Sequence, residues 1–362
     1  MALNAIPSHP RVQNNTRPLC VASTARVVIA MTLTMMERAR ADAVVQTRGC
    51  EALCAWLPAA RADVCEAGGV ALVLSALLAH GHVRTAYEAV IATLRGLVAG
   101  VDPDAPPLTL IVAAMRQCAP SQTVQHAGCA LLAAVCEDGG AGVRATVVHL
   151  DGAAVVVDAM ARFSARCPQL ALYGCFAFCG LASECAGAAA VARDGGCAAV
   201  VTVMAQAADD ALLQRAGVEA LWRLAFASWH AAAAVDAAGG TVAVLRAMTR
   251  APTDAKLASM GCAALFVFAC RTPEGAGSVL AHRGPAVVLR AMRAHLGVAD
   301  VQARGSVALQ VLASYDAPLP VHSVAQHILL GMRRHAGVAK VQDVGAAALS
   351  TILRVRSFTE IT

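Results

Sequence analysis

The sequence is poor in aromatic residues and in lysine, and it has no extended run of like charges. Phe, Trp and Tyr make up 4% of its 362 residues, although 58% are hydrophobic. The apolar content is therefore mostly Ala, Val and Leu, which suits closely packed helices. Only Lys256 and Lys340 are lysines among 29 basic residues, and the net charge is +5. Without a Lys/Arg cluster, the sequence does not indicate a nucleic-acid-binding surface.

The sequence also lacks the common motifs of catalysis and cofactor binding. It has no GxxxxGK[ST] phosphate loop, no HExxH metal motif, no GxSxG nucleophile elbow and no CxxC pair. His80 with His82, or His322 with His327, could chelate a metal, but solvated turns or a helix face explain these pairs better. We expect no catalytic residue, no cofactor and no metal site, and we predict that the chain is not an enzyme.

Long uninterrupted apolar runs are missing as well. Mean hydropathy is +0.59, but a membrane helix needs about 18 or more apolar residues without charge. The best candidate, residues 170–192, is interrupted by Glu184. We therefore predict no membrane span, and because we find no secretory apolar segment we expect the protein not to be secreted.

The sequence does contain a repeat of roughly 40 residues, which is typical of helical solenoids. Its clearest copy is residues 284–313, GPAVVLRAMRAHLGVADVQARGSVALQVLA. The methionine of the VLRAM run marks each repeat, and we number repeats 1 to 8 by these markers: Met36, Leu77, Met115, Met160, Met204, Met248, Met292 and Met332. A glutamine follows ten residues after five of them: Gln46, Gln125, Gln214, Gln302 and Gln342.

A glycine recurs shortly after the glutamine position, inside what reads as a long helix: Gly49, Gly128, Gly174, Gly217, Gly261, Gly305 and Gly345. A helix-interior glycine costs about 1 kcal/mol relative to alanine, so close packing must offset it. We expect the neighbouring repeat's helix to pack there, and we predict that Gly261→Leu would separate repeats 6 and 7.

Glycine pairs also precede several middle helices, as in EAGGV (66–70), DGGC (194–197) and AGGT (238–241). Glycine enters the left-handed region freely, so these pairs predict sharp turns. Each repeat thus reads as a short helix, a glycine turn, a middle helix ending at the methionine, a polar turn and a longer helix. Prolines in 101–108 and the segment 314–320 interrupt this pattern before repeats 3 and 8.

The pattern of GG, VV..AM and VQ..GC.AL..LA resembles the armadillo repeat family, especially the Met/Gly-rich variant of protist armadillo proteins and of Roco-type kinases. The resemblance covers about residues 27–355. It implies an all-α fold, a right-handed armadillo-like superhelical solenoid of about eight three-helix repeats. We expect residues 1–26 to form a flexible N-terminal segment and residues 27–362 to form the solenoid.

Other residue types follow the repeat. Cys50, Cys129, Cys175 and Cys262 come directly after the recurring glycine, where we expect a buried helix face. Buried free cysteines suit a reducing compartment, so we expect a cytoplasmic or nuclear protein. Three histidines, His80, His295 and His335, lie three residues after their markers, where we expect solvent-facing turns.

The armadillo resemblance implies that third helices line a concave groove, in which peptide binders carry an asparagine and, four residues earlier, a tryptophan. The asparagine places hold Ala55, Gly96, Ala134, Gly180, Arg223, Val267, Val311 and Thr351. The tryptophan places hold Glu51, Ala92, Ala130, Phe176, Glu219, Ala263, Val307 and Ala347. Without the asparagine ladder, nuclear-import-type or catenin-type recognition is not expected.

One distinctive patch remains on that face. Glu219 and Arg223 are i,i+4 neighbours beside Trp222, and Trp229 follows one turn beyond the helix. Aromatic residues and arginine are common interface anchors, so we predict that these four residues contact a protein partner. In the alternative interpretation, Trp222 belongs to the core and the ion pair is solvated, contributing about 0.3 to 0.5 kcal/mol.

We conclude from the sequence that the chain is a non-catalytic protein-interaction scaffold or adaptor. An alternative is that it is a regulatory or docking segment of a larger signalling protein such as a kinase, because the last repeat has no obvious polar cap. The sequence does not specify the partner, the pathway or the oligomeric state.

Overall fold

A computed structural model describes residues 18–97, 106–315 and 320–359, apart from the side chains of 18–24, 95 and 355–359. These residues form twenty α-helices and no strand. The predicted all-α solenoid class is thus confirmed. The chain divides into two compact units, Met1–Ala105 and Pro106–Thr362.

Unit 1 contains α1 (Pro18–Arg38), α2 (Ala43–Glu66), α3 (Gly69–His80) and α4 (Arg84–Leu97). Helix α2 packs against α1, α3 and α4. It is two helices joined at Ala60, whose φ of −142° is not helical and which follows Pro58 by two residues. Helix α1 begins before the boundary that we expected at residue 27. Residues 1–17 of the expected lead-in lie outside the described residues.

Unit 2 contains sixteen of the helices, which fall into three kinds. The short first helices are α7 (Ala141–His149), α10 (Cys185–Arg193), α13 (Trp229–Ala237) and α16 (Pro273–Ala281). The second helices are α5 (Pro107–Gln117), α8 (Gly152–Phe163), α11 (Gly196–Gln206), α14 (Gly240–Arg250), α17 (Gly284–Ala294) and α19 (Val321–Arg334). The third helices are α6 (Gln122–Asp138), α9 (Pro168–Leu181), α12 (Ala211–Ala227), α15 (Ala255–Arg271), α18 (Ala299–Ala313) and α20 (Ala339–Thr359).

Each kind of helix in unit 2 packs against the equivalent helix of the next repeat, so that the unit has three stacked layers. The face formed by the third helices is called the third-helix face below. The second helices of repeats 3 and 8 begin directly after the proline-containing connectors, at Pro107 and Val321. Residues 98–105 and 316–319 of those connectors lie outside the described residues.

The glycine turns occur where the sequence predicts them. Gly239 has φ +80° and precedes α14, a left-handed conformation that costs glycine little. The second glycine serves a different need, because a Cβ on Gly240 would lie 2.5 Å from Val235 Cγ1 of α13. At two equivalent turns Asp151 and Arg283 adopt the left-handed conformation instead.

The recurring glycine of the third helix faces the methionine of its own repeat. A Cβ on Gly261 of α15 would lie 2.6 Å from Met248 Cγ of α14. The other pairs have the same relation: Gly49 with Met36, Gly128 with Met115, Gly174 with Met160, Gly217 with Met204, Gly305 with Met292, and Gly345 with Met332. Our expectation that a neighbouring repeat's helix packs there is therefore wrong, because a methionine side chain of the same repeat fills the space.

The recurring glutamine binds the end of the same second helix. Gln302 Nε2 donates hydrogen bonds to the carbonyls of Met292, at 2.8 Å, and His295, at 3.0 Å. Carbonyls at a helix C-terminus lack intrahelical partners, so the glutamine supplies the missing donor. The same pair of bonds occurs at Gln46, Gln125, Gln214 and Gln342.

The three marker histidines do not face solvent, so that expectation is wrong. His80 and His295 are buried and His335 is partly buried. His80 Nε2 lies 2.7 Å from the Arg40 carbonyl, and His335 Nε2 lies 2.9 Å from the Leu296 carbonyl. Each of these two rings reaches the turn of the preceding repeat, a partner that is distant in sequence.

The cysteines that follow the recurring glycine are buried, as predicted. Cys50, Cys129, Cys175 and Cys262 are fully buried free thiols. Burial raises the pKa of each thiol to about 12. Because the thiolate is the reactive form, these groups are inert in the folded protein.

The contact between Met248 and Gly261 leads to a prediction about stability. Gly261→Leu should destabilise the protein by about 3 kcal/mol, since the added side chain must displace Met248. Gly277 is the matched control, because it is exposed in the middle of α16 and a Cβ there meets nothing within 4 Å. Gly277→Leu should stabilise by about 0.5 to 1 kcal/mol through helix propensity. Urea denaturation measures both, and equal effects at the two sites would contradict the assignment.

Thiol labelling tests the burial of the cysteines. N-ethylmaleimide should modify the exposed Cys185 and Cys270 in the folded protein, whereas the four buried thiols should react only after unfolding. Their raised pKa also predicts that the protein loses stability as the pH rises from 9 towards 12, since only the unfolded thiols ionise there. Mass spectrometry identifies the labelled cysteines. Rapid labelling of Cys129 in the folded protein would contradict the burial of that thiol.

Candidate functional site

Helix α12 carries three of the four predicted contact residues. Its N-terminus is fixed by Asp210, whose carboxylate accepts hydrogen bonds of 3.0 Å from the Leu212 and Leu213 amides. Arg223 Nη2 lies 2.7 Å from Glu219 Oε1, so the predicted i,i+4 ion pair is present. Both side chains are partly exposed on the third-helix face.

The Glu219–Arg223 pair lines a cavity of about 170 Å³ that spans three third helices. Phe176, Cys179 and Gly180 of α9 contribute a second wall, and Glu137 extends the cavity to α6. Burial, reinforced by the Glu219 carboxylate, raises the pKa of the Cys179 thiol well above its ordinary value. Cys179 is therefore neutral and not a nucleophile.

Sequence reasoning missed Glu137, Cys179 and Ser183 as cavity residues. Glu137 and Cys179 lie on third helices and Ser183 lies in the turn after α9, each three or seven residues after the tryptophan place of its own repeat. The repeat register was the available signal. Applying the repeat register to every position of the third-helix face, and not only to the asparagine and tryptophan places, would have identified these residues.

Close packing explains why glycine, and not asparagine, occupies the asparagine place at Gly180. A Cβ on Gly180 would lie 2.6 Å from Cys136 Cβ and 2.8 Å from the Cys136 carbonyl oxygen. Helices α9 and α6 therefore approach too closely for a side chain at this place. An extended peptide held by asparagines at each repeat is excluded there by packing.

Trp222 is partly buried and has a cationic partner from another repeat. The guanidinium carbon of Arg304, on α18, lies 5.5 Å from the centre of the Trp222 ring. This distance is within the range of a cation–π interaction. Trp222 is thus held at the surface by a side chain from repeat 7, an arrangement that neither of our two interpretations included.

Trp229 begins α13 and is 61% exposed. Its ring packs on His230, with 3.5 Å between the ring centres. No hydrogen bond, ion pair or ring contact among the described residues joins it to Glu219, Trp222 or Arg223. The structure therefore places Glu219, Trp222 and Arg223 together on one face of α12. Trp229 is close to them in sequence but makes none of these contacts with them.

A further exposed aromatic residue, Phe226, was missed. It is 60% exposed and lies three residues after Arg223, on the same face of α12. The guanidinium carbon of Arg271 lies 5.5 Å from its ring centre, and Arg271 Nη2 also donates to the Phe226 carbonyl. The spacing i, i+4, i+7 from Glu219 could have identified it.

The described residues also bear on metal binding and membrane crossing. No group of three or more His, Cys, Asp or Glu side chains in them could hold a metal. No single described helix is both long and apolar enough to cross a membrane, and residues 170–192 are divided between α9 and α10. Three pairs of consecutive helices meet these criteria only jointly, and each pair is bent by 69° to 96°.

Comparison with known proteins gives matches among solved structures. No protein-family model and no curated protein matches the sequence. An engineered protein of 18% identity has a TM-score of 0.59, and the match covers 91% of each chain. A designed armadillo repeat protein in complex with the peptide (KR)4 has 13% identity and a TM-score of 0.57, covering 68% of this chain and all of its own.

A third structure comes from work on a phosphorylation switch that controls the interaction between cadherin and β-catenin. It has 15% identity and a TM-score of 0.60, and the match covers 91% of this chain and 61% of that one. Identities this low show the fold alone. The fold is that of armadillo-like repeats.

Proposed function

We propose that this chain is a non-catalytic protein-interaction scaffold or adaptor that binds a protein partner through the third-helix face of unit 2. Its main support is the exposure of Arg223, which lines the cavity, and of Phe226, three residues later on the same face of α12. Trp229, exposed at the start of α13, follows α12 in sequence. The chain has only three tryptophans, yet Trp229 is 61% exposed and Phe226 is 60% exposed. Exposed aromatic and arginine side chains at one place are typical anchors of protein interfaces.

The cavity beside these residues supports the same proposal. Glu219 and Arg223 form its polar side, while Phe176 and the bare backbone at Gly180 form its apolar side. A partner side chain that enters this cavity would lose contact with water. Side chains in such desolvated pockets contribute most of the binding free energy of an interface. Burial raises the pKa of the Cys179 thiol and keeps it neutral, which favours a binding role for this cavity.

The structural neighbours agree with a binding role. One is a designed armadillo repeat protein bound to a peptide, and another concerns the interaction of cadherin with β-catenin. The contact between methionine and glycine in seven repeats supports membership of the Met/Gly-rich armadillo variant. The comparisons contain nothing that favours a docking segment of a kinase. The buried free thiols support a cytoplasmic or nuclear location.

The test compares partners captured by the wild type and by the double variant Arg223→Glu, Trp229→Ala. Interface anchors often contribute 2 kcal/mol or more, so the double variant should weaken binding by about thirtyfold or more. Proximity labelling in the native cells, with the tag at the N-terminus, identifies the partners, and titration with purified partner gives the affinity.

Arg166→Glu serves as the control, because Arg166 is exposed in the turn after α8 and does not line the cavity. All variants should have the same thermal melting curve. A partner set that is unchanged in the folded double variant would overturn the proposed surface.

A further inference from the structure

A second cavity lies in the layer of second helices of unit 2. Helices α11 and α14 enclose about 360 Å³, a volume in the range of small-molecule sites. Its apolar lining includes Val201 and Ala205 from α11 and Ala243 and Ala247 from α14. None of these residues belongs to the candidate protein-binding surface.

The next step of the same layer, between α14 and α17, differs at three lining positions. Between α14 and α17, the residues equivalent to Val201, Ala205 and Ala243 are Leu245, Thr249 and Val287, each one repeat later in the sequence. All three are larger. Thr249 Oγ1 also accepts a hydrogen bond of 2.7 Å from Arg290 Nη2, which ties the two helices together. At these three positions the side chains between α11 and α14 are therefore smaller, and the hydroxyl that ties α14 to α17 is absent.

The same comparison identifies an arginine without a partner. Arg246 is equivalent to Arg290 and lines the cavity, but Ala205 offers no hydroxyl to it. No hydrogen bond or ion pair joins Arg246 to any described residue. Arg250, one turn further along α14, also lines the cavity, and its closest acid is the fully exposed Asp209, at 3.8 Å. Two guanidinium groups therefore stand at the rim of an apolar cavity.

The deep end of the cavity carries a hydrogen-bond acceptor. Gln214 lines it and is only 7% exposed. Its Nε2 is occupied by the carbonyls of Met204 and Ala207. Its side-chain oxygen has no hydrogen-bond partner among the described residues. The cavity thus presents cations at the mouth, aliphatic walls and an acceptor at the floor.

We propose that this cavity binds a free, single-chain aliphatic carboxylate that carries a hydroxyl at its far end. The carboxylate pairs with Arg246 and Arg250, since guanidinium groups match carboxylates in shape and charge. The chain fills the alanine-lined space, and the hydroxyl donates to the Gln214 oxygen. The volume holds one chain, which favours a free acid over a membrane lipid with two.

The test uses 10-hydroxydecanoate as the probe and 1,10-decanediol as its uncharged counterpart. Calorimetry should show one bound equivalent of the acid for the wild-type protein and much weaker binding of the diol. Ala205→Thr recreates the hydroxyl present at Thr249, so it should both narrow the cavity and engage Arg246. Ala205→Thr and Arg246→Gln should each lower the affinity by about tenfold or more.

Thr249→Ala is the matched control. It frees Arg290 but leaves Leu245 and Val287 in place, so the stoichiometry should remain one. Absence of saturable binding, equal binding of the diol, or unchanged binding by Ala205→Thr with a wild-type melting curve would overturn the proposal. A second equivalent bound by Thr249→Ala would also overturn it, because a free arginine would then suffice without a cavity.

Discussion

The fold depends on the contact between a methionine of each second helix and a glycine of the following third helix. In seven repeats a Cβ on that glycine would lie no more than 2.7 Å from the methionine side chain. A methionine at the first position therefore requires a glycine at the second. In five repeats a glutamine of the third helix also donates to the carbonyl of the same methionine. Repeat 2 changes both partners at once, with Leu77 and Val90 in place of methionine and glycine.

Because this contact lies within a repeat, it does not constrain the side chains that pack between one repeat and the next. Because each second and third helix is locked to its own partner, stacking between repeats tolerates variation in side-chain size. Between α14 and α17 the layer is closed by Thr249 and Arg290, whereas Ala205 leaves it open between α11 and α14. The contact within each repeat is thus nearly constant, whereas the contacts between successive repeats vary.

The sequence predicted much of this organisation because the repeat makes each position visible several times. The markers gave the period, the order of helices, the glycine turns and the buried cysteines. The direction of packing was not accessible, since a glycine such as Gly261 at a fixed offset could face its own repeat or its neighbour. The burial of His80 depends on a carbonyl of the preceding repeat, and the partner of Trp222 comes from repeat 7. Such contacts are not local in sequence, so spacing alone cannot reveal them.

The most direct test of the central contact is a double-mutant cycle at Met292 and Gly305, whose Cβ position would lie 2.6 Å from Met292 Cγ. Urea denaturation of Met292→Ala, Gly305→Leu and the double variant gives the coupling free energy. If the methionine fills the space above the glycine, the truncated Met292 makes room for the new leucine, and the coupling should be about 1 kcal/mol or more in the favourable direction. Strictly additive effects would contradict the contact on which this account of the repeat depends.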